Sequence, residues 1–536
     1  MPLPRAVRSL ANAAALTPLK EPTFRMLWLA WLAANMTMWM NDVAAAWLMT
    51  TLTTSPVMVA LVQTASTLPV FLLGLPSGAM ADIVDRRQWF MGTQIWVTAT
   101  ATLLAVTAWL DALSAPLLLL LVFANGIGLA TRWPVFAAIV PELVKRSELT
   151  TALALNGVSM NMSRIVGPIV AGGIIAALGS SYVFALNAVL SLVAWFIIWQ
   201  WRSTPRVSAL PGERFVGAMR VGLQYVTQSP GMRVVLLRIF VFFLQGTALI
   251  ALLPLTARRF EGAGAGTFTF LLACMGMGAI AAALLLPRLR ARLDYDGLVL
   301  WGTVINALAV VVVALAPSIW VAAPAMVAAG GAWISVANSL TVTAQLTLPD
   351  WVRARGMSIY QMALMAGSAL GAALWGQVAS MSSLRTSLLA SAVLAMVGVV
   401  VLRRWRLGAH SEEDLTPQRI LTEPVPAIPL QPTDGPVMVI VEYLIDDADA
   451  AEFAELMRES RRHRLQKGAL SWGLFRDTGD PRRYIEYFVD ESWVEHLRRF
   501  DRFTASEVRL REQRFALHRG EGPPKVSRYL AETFDR

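Results

Sequence analysis

The sequence predicts an all-α membrane protein of about twelve helices in two six-helix halves, followed by a small α+β domain of ferredoxin-like type. Three observations carry this. The 536 residues are 56% apolar, more than a single water-soluble core of this length requires. Apolar runs of about 20 residues, the length that crosses a bilayer, follow one another as far as Leu402. After Arg406 the apolar character stops, and strand-like alternation and helical periodicity take over.

The first six runs lie near Leu27 to Met49, Val57 to Gly78, Trp89 to Leu110, Leu117 to Val140, Thr151 to Leu178 and Tyr182 to Trp201. A break follows with Pro205, Pro211, Gly212 and several charges. Six more lie near Val234 to Ala257, Thr267 to Leu286, Leu298 to Ala316, Ile319 to Leu348, Met357 to Met381 and Leu384 to Leu402. A membrane domain over 1–407 is expected, with halves at 24–201 and 232–402 and a connecting loop over 202–231.

Charge gives the expected topology. Lys and Arg cluster before the first run, at Arg86 and Arg87, at Lys145 and Arg146, from Arg202 through Arg220, at Arg288 to Arg292, at Arg353 and Arg355, and at Arg403 to Arg406. The opposite loops hold almost none, Arg258, Arg259 and Arg385 being the exceptions. Alternate loops are thus basic, which puts both termini in the cytoplasm of a bacterial inner membrane. The net charge of +10 belongs to these loops, since the chain from Val437 is nearly balanced. No nucleic-acid partner is expected. The amino terminus lacks a compact apolar core with a cleavage site and reads as a cytoplasmic lead-in. Cys274 is the only cysteine, and His410, His463, His496 and His518 show no zinc-type spacing. Neither a metal nor a cofactor is expected.

The halves look related. PELVKRSELTTALALNGVSMNMSRIVGPIVAGG from Pro141 echoes PDWVRARGMSIYQMALMAGSALGAALWG from Pro349: Pro, acid, Val and a basic residue match, then Gly-rich helices follow after a short gap. Beyond them, Gly408 to Pro436 is rich in Pro and acid and reads as an extended linker over 408–436. In 437–536, VMVIVEYLI alternates as a strand, Asp449 to Lys467 is helical with Phe453, Leu456 and Met457 on one side, and LSWGLFRD and RRYIEYFVD form a hairpin around TGDP. SWVEHLRRF and ASEVRLREQRFALH read as helical and PKVSRYLAE as a last strand. That order, β-α-β-β-α-β, is ferredoxin-like.

Two motifs stand out. In GAMADIVDRR, after the second run, Gly78 lets helix ends approach closely, Asp82 suits a positive helix end or an arginine, and Arg86 and Arg87 hold the loop at the basic face. With Asp85 these residues form a candidate conformational latch, made in one state and broken in another. In SRIVGPIVAGG, Gly167 and Pro168, with Gly172 and Gly173, permit a bend and tight helix packing.

Charge inside a bilayer is expensive and therefore informative. Asp42 is the one acid well inside a run of the first half, while Glu261, Asp294, Asp296 and Asp350 of the second half fall in loops. Counted from the basic ends at 1.5 Å per residue, Asp42 lies about 22 Å along its helix and Arg164 about 20 Å. We therefore expect the two to face a central cavity close together, with Arg132 lining it nearer the cytoplasm. Proton loading of Asp42 would reset the pair, and the arginines suit an anion or the polar face of a substrate. Asn35, Gln63, Asn161, Gln245 and Gln361 are further candidate contacts, although helix-to-helix hydrogen bonding explains them equally. In the tail, Trp493 and His496 sit three apart and share a helix face. No nucleophile-base-acid constellation accompanies them, so an enzyme is not expected.

The latch loop resembles the signature of the major facilitator superfamily: Gly78, Asp82, Arg86 and Arg87 match, while Ile83 and Asp85 depart from it. SRIVGPIVAGG resembles the Gly-Pro motif of that superfamily's exporters. The stretch from Thr37 to Arg87 is similar to the branch containing the enterobactin exporter and the transmembrane secretion effectors, whose members often end in a tail like ESWVEHLRRFDRFTASE. The tail itself is similar to dimeric α+β barrel proteins. The resemblance implies a twelve-helix major facilitator fold and export of siderophores, drugs or other secondary metabolites; proton antiport with alternating access is expected, Asp42 being the candidate for coupling, and the tail is expected to be a dimerising or ligand-sensing module. The alternative is a membrane-anchored sensor or enzyme whose tail carries the main activity.

Overall fold

The computed structural model describes residues 17–83, 86–144, 148–201, 215–260, 264–407, 414–416, 418 and 426–532. The lead-in before Thr17, Asp85, Lys145, Arg146, the basic stretch from Arg202 to Arg214, Glu261, and most of the Pro-rich linker with His410 lie outside them. The chain divides into two compact units. One comprises Met1–Pro205, Leu236–Thr341 and Ser358–Arg406, and the other Arg206–Val235, Val342–Met357 and Leu407–Arg536.

The first half is built from α1 (Pro22–Leu52), α2 (Pro56–Ile83), α3 (Arg86–Trp109), α4 (Ala115–Leu143), α5 (Leu149–Ala177) and α6 (Ser180–Gln200). After α7 (Phe215–Gln228) come α8 (Pro230–Ala251), its short continuation α9 (Leu253–Ala257), α10 (Ala265–Arg290), α11 (Tyr295–Leu315), α12 (Ile319–Thr347), α13 (Asp350–Met381) and α14 (Leu384–Leu402). Among the described residues, eleven stretches are long and apolar enough to cross a membrane. The remaining long helix, α1, has 31 residues, about 46 Å at 1.5 Å each; Asn35, Thr37, Asn41 and Asp42 dilute its apolar character. Helix starts follow local chemistry. Proline, whose missing N–H costs nothing in the first turn, opens α1, α2 and α8, and Ser114, Asp294 and Ser383 accept bonds from the first turns of α4, α11 and α14. The α5–α6 turn passes through Gly179 at φ +102°, which a Cβ disfavours.

The repeat read from the sequence has a packing counterpart. A Cβ at Gly167 of α5 would stand 3.2 Å from the Met36 carbonyl of α1. The matching Gly371 of α13 lies so close to the Leu244 carbonyl of α8 that a Cβ would collide with it. Five residues on, Gly172 abuts Thr269 of α10, and Gly376 would place a Cβ 2.6 Å from that of Ala60 in α2. Small residues thus let helices close up within each half and across the halves in a symmetric pattern. An extensive apolar cluster joins both halves at the end bearing the α1–α2 turn, from Met40 to Met49 through Leu249, Phe268 and Trp375. A second cluster, around Phe24, Trp31, Phe90 and Ile139, belongs to the first half alone at its arginine-rich end.

In the other unit, β1 (Val437–Leu444), α15 (Ala450–Gln466), β2 (Ser471–Arg476), β3 (Arg483–Asp490), α16 (Trp493–Asp501), α17 (Ala505–Ala516) and β4 (Lys525–Leu530) form the tail domain. Its antiparallel sheet has the order β2-β3-β1-β4, the ferredoxin-like arrangement expected from the pattern. Val437, Val439, Val441 and Tyr443 point to the buried face. One element was not anticipated: the connection between the halves, expected as loop, contains α7, with buried Val221 and Tyr225 four apart on one face.

Candidate functional site

The α1–α5 register fixes the depth of the charged residues. Ser163 Oγ donates to the Leu32 carbonyl at 3.4 Å, and Gly167 meets Met36 and Trp39. A residue of α5 is therefore level with the α1 residue about 131 positions earlier, so Arg164 is level with Ala33. Asp42 lies about nine residues farther along, roughly 13 Å toward the α1–α2 end. This corrects the matched depth expected for the pair: distances counted from helix ends ignore the stagger that the Gly167 contact imposes. Among the described residues neither the Asp42 nor the Arg164 side chain, both half-buried, takes part in an ion pair or hydrogen bond.

Arg132 of α4 is 1% exposed. Its Nη2 donates to the Ala34 carbonyl at 3.3 Å, and its guanidinium stands 5.2 Å from the Trp31 ring. Its guanidinium thus reaches the α1 level of Trp31 and Ala34, close to that of Arg164. No carboxylate pairs with it among the described residues, and a buried guanidinium without a counter-charge is costly. Asn35, fully buried, has no hydrogen-bond partner for either amide atom among the described residues, and shares a helix face with Asp42 seven residues on.

In the second half, Gln245 of α8 is 1% exposed and its amide likewise has no hydrogen-bond partner among the described residues. Asn306 of α11 has the same character and lies 3.6 Å from where a Cβ of Gly246 would stand. Asn306 is not among the contacts expected from the sequence, although a lone Asn in the run VINALAVVVV is an available signal. Gln63 and Gln361 are half-buried on α2 and α13, and Asn161 lies on α5. Asn187, also not among the expected contacts, donates to Asn41 Oδ1 at 3.3 Å and accepts from Ser191, tying α6 to α1.

The latch residues fall on helices more than on a loop. α2 runs through Gly78 and Asp82 to Ile83, Asp85 lies outside the described residues, and Arg86 opens α3. Arg87 Nη2 donates to the Trp199 carbonyl at 2.6 Å, capping the C-terminal end of α6. Arg238 does the same in the second half, donating to the Trp405 carbonyl at 2.6 Å while pairing with Asp296 at 2.7 Å. Pro168 sits inside α5 between Gly167 and the exposed Gly173.

In the tail, Trp493 and His496 meet with ring centroids 5.5 Å apart. His496 is buried in a network: its Nδ1 bonds Asp490 at 2.9 Å, and Arg528 Nε donates to its Nε2 at 3.1 Å. Burial lowers the histidine's pKa, against the pull of Asp490. Asp490, though burial favours its neutral form, is held far below the carboxylate range by Arg499 and His496. A second buried carboxylate, Glu486, accepts from Arg464 Nε at 3.0 Å, Trp472 Nε1 at 3.0 Å and Tyr443 at 3.1 Å. These networks occupy the space between sheet and helices.

The family described as transmembrane secretion effector matches residues 13–535. The staphyloferrin A transporter of Staphylococcus aureus is 24% identical over 49% of this chain and 65% of its own length. Macrolide efflux protein A of Streptococcus pyogenes is 24% identical over 40% and 53%. The chain thus spans less than two thirds of either relative. The enterobactin exporter EntS of Shigella boydii is 24% identical over 72% of this chain and 94% of its own. Among solved structures, the nucleoside transporter NupG aligns with a TM-score of 0.58 at 13% identity over 72% of this chain and 98% of its own. A bacterial homolog of human Spinster, inward-facing, aligns at 0.57 and 15% over 72% and 98%. These likenesses establish the helical fold of the membrane part.

Proposed function

Because the chain belongs to the transmembrane secretion effector family, we propose that it is a secondary active transporter that exports small molecules from the cytoplasm. The cargo class is a siderophore, drug or other secondary metabolite, in keeping with the names of the similar transporters. The observation that carries the reading is the symmetric closure of the halves at one end, Gly172 on Thr269 and Gly376 on Ala60. Two repeats that touch through small residues at one end are built to rock against each other, which is alternating access. The arginine-rich loops support a reading in which the opposite end, and both termini, face the cytoplasmic side of a bacterial inner membrane. Asp42 is the proton-coupling group, and Arg132 and Arg164, with Asn35 and Gln245, supply the polar contacts for cargo. Gly78, Asp82, Asp85, Arg86 and Arg87 form the latch, and the Gly167–Pro168 pair shapes α5 for export.

Dimerisation through the tail is part of the proposal. The sheet face away from the helices carries Ile440, Tyr487, Phe475 and Tyr529, with Phe475 60% and Tyr529 50% exposed. Two experiments test the reading. Cells with and without the protein are challenged with a panel of siderophores and macrolides; lower accumulation of one member is expected, and equal accumulation of all would sink export. The mass of the detergent-solubilised chain is then measured, a monomer at all concentrations ruling out the dimer.

A further inference from the structure

Within the second unit the tail domain is fastened to two pieces of the membrane part's own connections. The first is α7. Arg220 pairs with Glu491 at 2.6 Å, Gln224 donates to the Ala469 carbonyl and Gln466 to the Gln228 carbonyl, both at 3.3 Å. Gly468, in left-handed backbone at φ +96°, lets the α15 end approach Val221 so closely that a Cβ would stand 2.6 Å from it. The second piece is the α12–α13 junction. Trp351, in the first turn of α13, is held from two sides: Tyr225 of α7 meets it edge-on at 5.7 Å, and the Arg502 guanidinium stands 4.9 Å over its ring. Arg502 is 4% exposed and fixed by bonds to the Lys467 carbonyl at 3.1 Å and Glu495 at 3.0 Å. A guanidinium ordered and desolvated in this way makes a strong contact with an indole face.

α13 then continues into the membrane part, where Gly371 packs on α8 and Gly376 on α2 of the other half. It is therefore one of the helices through which the halves meet. We propose that the tail domain is a positioning element for transport: by clamping Trp351 between Arg502 and Tyr225, and α7 through Arg220 and Glu491, it fixes the start of α13 and so sets the rate at which the halves exchange. This rests on the transport reading above. The seam also holds His463, Lys467 and Glu507, so the clamp is a built, charge-ordered contact and not a loose tether.

The test uses the full chain in lipid nanodiscs and in everted vesicles, with erythromycin as the probe cargo. The variants are Arg220→Glu, Glu491→Arg, their combination, Trp351→Ala and Trp351→Phe. Each single reversal and Trp351→Ala should raise hydrogen exchange of residues 342–357 about tenfold, as loss of a local clamp does. They should also lower kcat of efflux at least about threefold with KM unchanged. The double reversal and Trp351→Phe should restore both. Unchanged exchange in the single variants, raised exchange without a change in kcat, or an effect on KM alone would overturn the proposal. If the intact chain moves no erythromycin, that failure belongs to the transport reading for this cargo. Spin labels at Gln88 and Leu289 in a Cys274→Ala chain then replace kcat: their distance distribution should change in the single variants and revert in the double reversal, and an unchanged distribution would overturn the clamp.

Discussion

Gly172 of α5 abuts Thr269 of α10 so tightly that residue 172 has no room for a side chain. This is a contact between the two halves, and its partner by internal repeat is Gly376 against Ala60. Any larger residue at 172 must hold the halves apart at the α1–α2 end. Gly172→Leu is therefore expected to fold, since each half keeps its own core, yet to lose transport at least about tenfold, the scale on which overpacking acts. Gly173→Leu, at an exposed site with open space around the Cβ, should transport far better. Equal transport by the two variants, measured as efflux from loaded cells, would contradict the packing account.

Arg132, which no carboxylate pairs with among the described residues, makes a different prediction. Replacing it by Gln keeps a donor toward the Ala34 carbonyl but removes the charge, so KM for an anionic cargo should rise about tenfold while KM for a neutral macrolide changes little. A uniform loss of activity for both would assign Arg132 to structure alone, through its contacts with Trp31 and Ala34.

Much of this architecture was legible in the sequence, for reasons that differ by feature. The spans were visible because about 20 apolar residues have few uses other than crossing a bilayer, and the tail strands because alternation is a local property. α7 was hidden because its stripe of Val221 and Tyr225 is short and interrupted by Gly217 and Gly222. The depth of Asp42 against Arg164 was misjudged because stagger between α1 and α5 is set by Ser163, Gly167 and Met36 in three dimensions. His496 was found through its spacing from Trp493, but Asp490 and Arg528 reach it through the pairing of β1 with β3 and β4, which no local pattern reveals.

The tail domain carries its own test. Burial works against an ionised Glu486, yet Arg464 and Arg514, with bonds from Arg464 and Trp472, hold its carboxyl down at about 2. A folded value below the ordinary 4.5 means that the ionised group stabilises the domain above that pH, and that this stabilisation fades as pH falls toward 2. Hydrogen-exchange protection of residues 437–444 in the full chain should therefore collapse within this window. Glu486→Gln should lose about 3 kcal/mol at neutral pH, because it leaves Arg464 and Arg514 buried without their counter-charge. Protection that is flat across the window, or unchanged in the variant, would refute this network's role.

Asp42 is the residue on which the account of coupling stands, and one measurement addresses it most directly. The purified chain is reconstituted into liposomes, an imposed pH gradient drives movement of siderophores and macrolides, and proton flux is recorded alongside. Gradient-driven cargo movement with coupled proton flux is expected in the intact chain, and at least a roughly tenfold loss of the gradient-driven part in Asp42→Asn with cargo binding retained. Equal gradient-driven movement by the intact chain and Asp42→Asn, or no dependence on the gradient in either, would contradict it.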